Sequence, residues 1–275
     1  MATPMVAGWL KFAKEIEGIV LDIAGVLYDS GDGDGVPIPG SIEAVNRLKA
    51  SGVPVRFCTN ATETTRVNLV AKLNRIGFSL EPNEVFPPAP AVCQILKERG
   101  LRPHLLVADD CKPDLAGVEQ HDPTCVVIGD AAHGFTYDSM NKAFQALMQM
   151  EKPLLISMGQ GKYYLETDGL KLDCGPFMKA LEYACSLEAE IVGKPSKTFF
   201  DAVLKDIGIS SDKALMIGDD VVSDVGGAQA CGMRALLVRT GKYRPTDEKH
   251  PTVTPDGVVD NLQQAVELFL SCRDK

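Results

Sequence analysis

Residues 21–29 read LDIAGVLYD, an apolar stretch that contains one early carboxylate, Asp22. Residues 18–21 before it are apolar and include two β-branched side chains, as in a buried strand, and Gly25 marks a turn. We therefore predict a strand over 18–23 that ends around Asp22. Ligands of parallel α/β sheets bind outside the carboxyl ends of the strands, which makes Asp22 a candidate for chemistry.

Short apolar runs alternate with helical patterns along the rest of the chain, which predicts βαβ units and an α/β fold with a parallel sheet. Pro- and Gly-rich joints at 87–90 and 175–176 suggest that the middle third is a lobe of its own. The predicted strands cover 18–23, 53–59, 104–108, 124–128, 154–157, 214–217 and 234–238, with a short one from Ile191. The predicted helices cover 41–50, 63–76, 89–99, 137–150, 197–207 and 225–231.

Composition excludes several classes of protein. The 275 residues carry a formal net charge of -9. Nucleic acids and anionic membranes bind positive surfaces, so this charge argues against a protein that binds either of them. The eight cysteines are scattered without a C-x-x-C pair, which predicts reduced thiols and neither disulfides nor a zinc site. Charged residues interrupt the N-terminus from Lys11 onward, and no apolar run reaches the ~18 residues of a membrane span. We therefore expect a cytoplasmic protein that could also be present in the nucleus.

Polar residues stand where several predicted strands end. They provide carboxylates for a divalent cation, a hydroxyl and an amide for phosphate oxygens, and an ammonium that neutralises charge, which together suit phosphoryl transfer. Oxygen ligands favour Mg²⁺ over zinc. These candidates are Asp22, Thr59, Asn60, Lys194, Asp219, Asp220 and Asp224.

Taken singly, most of these residues have ordinary structural explanations. Asn60 could cap a helix, and Lys194 and Asp219 could stand in turns. Their joint occurrence at successive strand ends favours one site.

Residues 31–35 read GDGDG and could form a ligand loop. A dinucleotide loop would need glycine at Val36, and Pro37 prevents the helix that should follow. A calcium loop would need a third acid and a closing glutamate, beyond Asp32 and Asp34. We predict a mobile surface flap instead.

In this order, Asp22-Ile23-Ala24-Gly25-Val26, Thr59-Asn60, Lys194-Pro195 and Gly218-Asp219-Asp220 with Asp224 resemble the four signature motifs of the haloacid dehalogenase superfamily of phosphatases. The segment between the second and third motifs resembles the α/β cap of type-IIA members. The resemblance implies a doubly wound parallel-sheet (Rossmann-like) core with an inserted α/β cap domain. The implied parts are core residues 1–97, cap residues 98–188 and core residues 189–275.

The resemblance also implies the roles of the motif residues. Asp22 would be the nucleophile that forms an aspartyl-phosphate, and Lys194 would neutralise the transferring group. Asp22, the Ala24 carbonyl and Asp219 would bind Mg²⁺, with Asp220 and Asp224 supporting these ligands. The implied substrate-binding residues are Asp22, Ile23, Ala24, Thr59, Asn60 and Lys194.

Ala24 departs from the superfamily pattern, because most of these phosphatases have there an aspartate that protonates the leaving group. General acid catalysis contributes about 10²–10⁴-fold, most for poor leaving groups. The resemblance, together with this alanine, implies hydrolysis of P–N bonds (phosphohistidine, phospholysine, imidodiphosphate) and of inorganic pyrophosphate, whose leaving groups need the acid least. The alternatives are a small-phosphomonoester phosphatase and a weakly active pseudo-phosphatase that binds phosphate and Mg²⁺.

Substrate specificity is expected to come from the cap. The candidates are His133, Lys162 and Tyr163, for which ordinary surface loops are an equally open explanation. Expected partners are small phosphorylated substrates or proteins carrying phosphohistidine or phospholysine, with no nucleic acid and no membrane. A homodimer is expected, since caps of this type often mediate dimers.

Overall fold

The structure, a computed structural model, describes residues 12–31, 33–166 and 168–273. Most predicted elements are present, several of them with the predicted bounds. In chain order the strands are β1 (Gly18–Asp22), β2 (Tyr28–Asp29), β3 (Val36–Pro37), β4 (Val55–Cys58), β5 (Val85–Phe86), β6 (Pro103–Leu106), β7 (Cys125–Ile128), β8 (Leu155–Ser157), β9 (Tyr163–Glu166), β10 (Gly169–Leu172), β11 (Glu190–Ile191), β12 (Ala214–Gly218), β13 (Arg234–Val238) and β14 (Gly257–Val259). The α-helices are Ser41–Ala50, Arg66–Arg75, Pro88–Arg99, Tyr137–Gln149, Cys174–Cys185, Lys197–Ile207, Gly227–Ala230 and Leu262–Arg273.

The core domain is a parallel sheet with the strand order β14-β13-β12-β1-β4-β5. Side chains alternate along β1, so that Ile19 and Leu21 pack on one face of the sheet and Val20 on the other. Helices Ser41–Ala50, Arg66–Arg75 and Leu262–Arg273 cover the first face, and helices Lys197–Ile207 and Gly227–Ala230 cover the second. The doubly wound α/β core is therefore confirmed.

The cap has its own parallel sheet, with the strand order β11-β8-β7-β6. Helix Pro88–Arg99 belongs to it, because Val92 and Leu96 pack in one cluster with Val127 and Ile156 of the cap strands. Strand β11 also belongs to it, since it pairs with β8. These contacts place residues 88–97 and 190–191 with the cap sheet, outside the range of 98–188 that the resemblance implied.

Two antiparallel hairpins were not predicted, β2–β3 in the core and β9–β10 in the cap. The β2–β3 loop holds the predicted flap, and Asp32 lies outside the described residues. Arg75 donates hydrogen bonds of 2.7 Å to both carboxylate oxygens of Asp34, so the described part of the flap is fastened to a helix. The Ser30 hydroxyl donates to the Leu165 carbonyl at 3.1 Å, which joins the two hairpins across the cleft.

Helix Arg66–Arg75 begins later than the predicted residue 63. Thr65 caps it by accepting a hydrogen bond from the Asn68 N–H at 3.2 Å. The preceding loop crosses to the cap instead, where the Thr62 hydroxyl accepts a hydrogen bond from the Asp130 N–H at 2.7 Å. This loop therefore connects the core site to the cap.

All eight cysteines are free thiols, and six of them are buried. No helix in the described ranges has both the length and the apolar character needed to cross a membrane.

Candidate active site

The strands β12, β1 and β4 are neighbours, and their carboxyl ends bring three predicted site residues together. Asp22 is the last residue of β1, Asp219 follows β12 and Thr59 follows β4. All three side chains are buried. The register aligns the ends, since Leu21 pairs with Ile217 and Asp22 with Cys58. A single depression at this edge of the sheet therefore contains residues that are far apart in sequence.

Lys194 is the buried cation of the site, with 3% of its surface exposed. Its Nζ lies 2.5 Å from Asp22 Oδ1 and 2.8 Å from Asp224 Oδ1, and it donates to the Cys58 carbonyl at 3.1 Å. Burial alone would lower the pKa of Lys194, but the Asp22 and Asp224 carboxylates outweigh it and raise that pKa. Lys194 is thus a fixed positive charge against the nucleophile candidate.

Asp22, Asp219 and Asp224 form a compact acidic cluster, in which one oxygen of each carboxylate lies within 4.8 Å of the others. Asp219 Oδ1 is buried and has no hydrogen-bond partner among the described residues. Burial, with the nearby carboxylates of Asp22 and Asp224, raises the pKa of Asp219. Burial and the Asp22 carboxylate likewise raise the pKa of Asp224 to about 7. Three buried carboxylates with an orphaned oxygen fit a divalent cation, which would offset their mutual repulsion.

Asp220 and Asp224 organise the turn after β12, where a helix over 225–231 was predicted. A wide helical turn, Val221–Gly226, precedes the short helix Gly227–Ala230. Asp220 Oδ1 accepts hydrogen bonds of 2.9 Å from the N–H groups of Val222 and Ser223. Asp224, expected to support the ligands from behind, lies in the acidic cluster with Asp22 and Asp219.

Thr59 and Asn60, the two residues after β4, form different hydrogen bonds. The Thr59 hydroxyl accepts a hydrogen bond from the Ala61 N–H at 3.0 Å, so its own proton can be donated to a phosphoryl oxygen. The Asn60 amide instead pairs with the backbone of Lys194, once as donor and once as acceptor, both at 2.8 Å. The Asn60 side chain therefore positions Lys194, although it was predicted to hold phosphate.

Ile23 and Ala24 follow the nucleophile candidate and differ in exposure. The Ile23 side chain is buried in the core cluster, so this residue could reach a substrate only through its backbone. Ala24 is half-buried and lines the cavity above Asp22. Its methyl group therefore occupies the place where an acidic side chain would enter the cavity.

The loop after β13, which contains Thr240, Gly241 and Lys242, was not identified from the sequence. The Lys242 N–H donates to Asp219 Oδ2 at 2.8 Å, and the Thr240 hydroxyl donates to the Gly25 carbonyl at 2.5 Å. A Cβ atom at Gly241 would lie 2.1 Å from Asp219 Oδ2, and the φ of Gly241 is +60°. The sequence did contain a signal for this loop: residues 239–242, RTGK, follow an apolar strand. They therefore stand at one more strand end on this edge of the sheet.

We expect Gly241→Ala to inactivate the protein, because the added methyl group must displace the Asp219 carboxylate. The matched control is Gly52→Ala, at a glycine with φ +74° and no atom within 4 Å of the added Cβ. Gly52→Ala should lose about 1–2 kcal/mol of stability from the left-handed backbone. Gly241→Ala should lose more, because its Cβ would also lie 2.5 Å from the Gly25 Cα; chemical denaturation measures both losses. Equal activity in the two variants would show that the contact between this loop and Asp219 is not needed for turnover.

A cavity of about 210 Å³ lies between the core site and the cap. Cap residues Asp130, Tyr164, Glu166 and Asp173 line its upper wall. Burial raises the pKa of Asp130, although a hydrogen bond from Tyr164 opposes this. Burial likewise raises the pKa of Asp173. The cap side of the cavity therefore contains three acidic side chains, two of which are disfavoured in their charged form by burial.

The cap residues predicted to set specificity are placed differently from one another. Tyr163 and Lys162 line a second, adjoining cavity, and Arg244 lies over the Tyr163 ring at 4.8 Å from its centroid. His133 is exposed in a short 3₁₀ turn and does not line either of these two cavities. Phe135, two residues after His133, stacks on Phe177 in the cap. Tyr164, the residue after Tyr163, lines the catalytic cavity.

Comparison with known proteins identifies the family of the chain. Residues 19–121 match the family described as haloacid dehalogenase-like hydrolase, and residues 191–265 match a second family described as HAD-hydrolase-like. The chain is 58% identical to the human protein named phospholysine phosphohistidine inorganic pyrophosphate phosphatase, over 98% of this chain and 100% of that protein. The protein of the same name from Xenopus laevis is 55% identical over 98% of both chains. The crystal structure of 4-nitrophenylphosphatase from Thermotoga maritima has a TM-score of 0.82 and 25% identity, covering 93% of this chain and 98% of the other.

Proposed function

The chain belongs to the haloacid dehalogenase-like hydrolases, and we propose that it is a Mg²⁺-dependent phosphatase. Its proposed substrates contain P–N bonds or are inorganic pyrophosphate. The chain is thus a hydrolase of phosphorus-containing bonds. The observation that carries this proposal is the buried Asp22–Lys194 pair beside the acidic cluster, below a cavity in which residue 24 offers no acid. The names of the similar proteins support the same substrates.

In the proposed reaction the Asp22 carboxylate attacks phosphorus, and the bond from phosphorus to the leaving nitrogen or oxygen breaks. Lys194 and the Thr59 hydroxyl hold the phosphoryl oxygens and stabilise the charge that develops on them. Water then hydrolyses the aspartyl-phosphate, which releases phosphate and restores Asp22. Asp22, Asp219 and Asp224, with the Ala24 carbonyl, would hold Mg²⁺, which when bound neutralises charge on the transferring group.

The cavity favours leaving groups that gain a positive charge. Glu63, Asp130 and Asp173 line it together with Ala24. An amine such as the lysine side chain takes its protons from water and becomes an ammonium ion after P–N cleavage, and the ionised forms of these acids would stabilise that ion as it departs. A sugar alkoxide gains nothing comparable and has no acid at residue 24, so monoesters should be poorer substrates.

The direct test is phosphate release from imidodiphosphate, pyrophosphate, a phosphohistidine peptide and a sugar phosphate, with Mg²⁺ and after chelation. We expect turnover of the first three that requires Mg²⁺, and slower turnover of the sugar phosphate. A sugar phosphate cleaved faster than all three would instead support the monoesterase. No turnover of any substrate, with Mg²⁺ still bound, would support a pseudo-phosphatase.

We also propose a cytoplasmic homodimer that acts on small phosphorylated substrates or on phosphohistidine and phospholysine proteins, and that binds neither nucleic acid nor membranes. The net charge of -9 supports the last two points. Exposed Tyr137, Met148 and Tyr183 lie on two cap helices that pack together, and they support association through the cap. A monomeric mass in solution would contradict the dimer.

A further inference from the structure

The catalytic cavity continues into a second cavity of about 510 Å³. Both are lined by Gly161 of the cap and by Asp219, Asp220, Ser223 and Lys242 of the core. A substrate whose reacting phosphoryl group lies against Asp22 can therefore extend in two directions, under the cap or into the second cavity.

The two directions differ in charge. Under the cap, the lining contains four acidic side chains, Glu63, Asp130, Glu166 and Asp173, whose ionised forms repel an anionic leaving group. Outside the shared wall, the second cavity has one acid, Asp247, which already accepts a hydrogen bond from the Arg244 N–H at 2.7 Å. Its other charged or ionisable lining residues there are Lys162, Lys179, which forms an ion pair with Glu182, and His250.

Three lysines line the catalytic cavity within the described ranges, and their ammonium groups differ in the contacts they make. Lys194 is bound by two carboxylates at 2.5 and 2.8 Å. Lys72 lies 5.1 Å from the centroid of the Tyr28 ring and does not line the second cavity. Lys242 lines both cavities, and its Nζ has a longer ion pair of 3.3 Å with Asp220 Oδ2. An ammonium has three donors, so this pair leaves donors for a ligand.

The backbone of Lys242 is also fixed, by its 2.8 Å hydrogen bond to Asp219 and by the tight contact of Gly241 with that carboxylate.

We propose that Lys242 binds the leaving phosphate of substrates that contain two phosphoryl groups, and so determines specificity for pyrophosphate and imidodiphosphate. This inference rests on the proposed function. Lys194 serves the phosphoryl group that is transferred, and Lys242 serves the one that departs.

The test compares kcat/KM for three substrates in wild type, Lys242→Met, Lys242→Arg and Lys72→Met. Pyrophosphate and imidodiphosphate have a second phosphoryl group, whereas phosphoramidate has a P–N bond without one. Lys242→Met should lower kcat/KM for both two-phosphate substrates about 10- to 100-fold, the usual value of one hydrogen bond to a charged group. Phosphoramidate should change by less than about threefold on the same scale, and Lys242→Arg should restore most of the loss.

A binding measurement gives a readout independent of turnover. In the Asp22→Asn background, titration calorimetry with Mg²⁺ present should show that Lys242→Met weakens pyrophosphate but not inorganic phosphate. The exposed Lys205→Met serves as the charge control and should match wild type.

Equal losses on all three substrates would show that Lys242 only supports Asp219 and Asp220, and would overturn the inference. A loss selective for two-phosphate substrates in Lys72→Met, with Lys242→Met unchanged, would also overturn it. If wild type cleaved none of the three, the proposed function itself would fail, which is a separate result.

Discussion

Asp22→Asn should reduce turnover of every substrate by about 10⁴-fold or more, as expected when a covalent nucleophile is removed. Asparagine keeps the volume of the side chain but cannot attack phosphorus, and it removes one of three clustered carboxylates. The fold should survive, because Lys194 keeps its 2.8 Å ion pair with Asp224. The measurements are phosphate release, circular dichroism and thermal unfolding.

The matched control is Asp201→Asn, the same substitution at an exposed carboxylate on helix Lys197–Ile207. It should retain wild-type activity. If the Asp22→Asn protein kept a substantial part of its activity while folded, Asp22 would not be the nucleophile.

Ala24→Asp should raise activity toward a sugar phosphate relative to pyrophosphate, by up to the ~10²–10⁴-fold typical of a general acid. Ala24 is half-buried and lines the catalytic cavity together with Asp22, so a longer side chain at this position would extend beside the nucleophile candidate. That group could protonate an alkoxide as the P–O bond breaks. Amine and phosphate leaving groups gain less from it.

Ala24→Asn is the control that distinguishes proton donation from side-chain size. Its amide fills the same space as the carboxyl group but cannot supply the proton. We expect the ratio of kcat/KM for the sugar phosphate to that for pyrophosphate to rise in Ala24→Asp alone. A ratio that is flat, or that rises equally in Ala24→Asn, would mean that the alanine is not what excludes monoesters.

The site could be predicted from sequence where residues stand at the ends of apolar strands. Asp22, Thr59 and Asp219 follow three such strands, and a parallel sheet brings their ends together. The pairing of Asn60 with the Lys194 backbone could not be predicted, since it joins segments 134 residues apart through one loop conformation. The same holds for Lys242, whose position depends on how closely its loop packs against Asp219.

The cap was harder to predict than the core. Helix Pro88–Arg99 has the same amphipathic pattern whichever sheet it covers, so only its contacts with Val127 and Ile156 assign it to the cap. The β9–β10 hairpin has strands of four residues each with only partly buried or exposed side chains, which leaves little periodic signal. The cap residues that line the cavity therefore became visible only in the structure.

The covalent intermediate can be detected directly. During turnover of imidodiphosphate with Mg²⁺, the protein is quenched in acid and treated with borohydride, which reduces an aspartyl-phosphate to homoserine. Mass spectrometry of the peptide that contains residue 22 should then show homoserine in wild type and none in Asp22→Asn. Continued phosphate release with an unmodified Asp22, or reduction at another carboxylate, would contradict catalysis through Asp22.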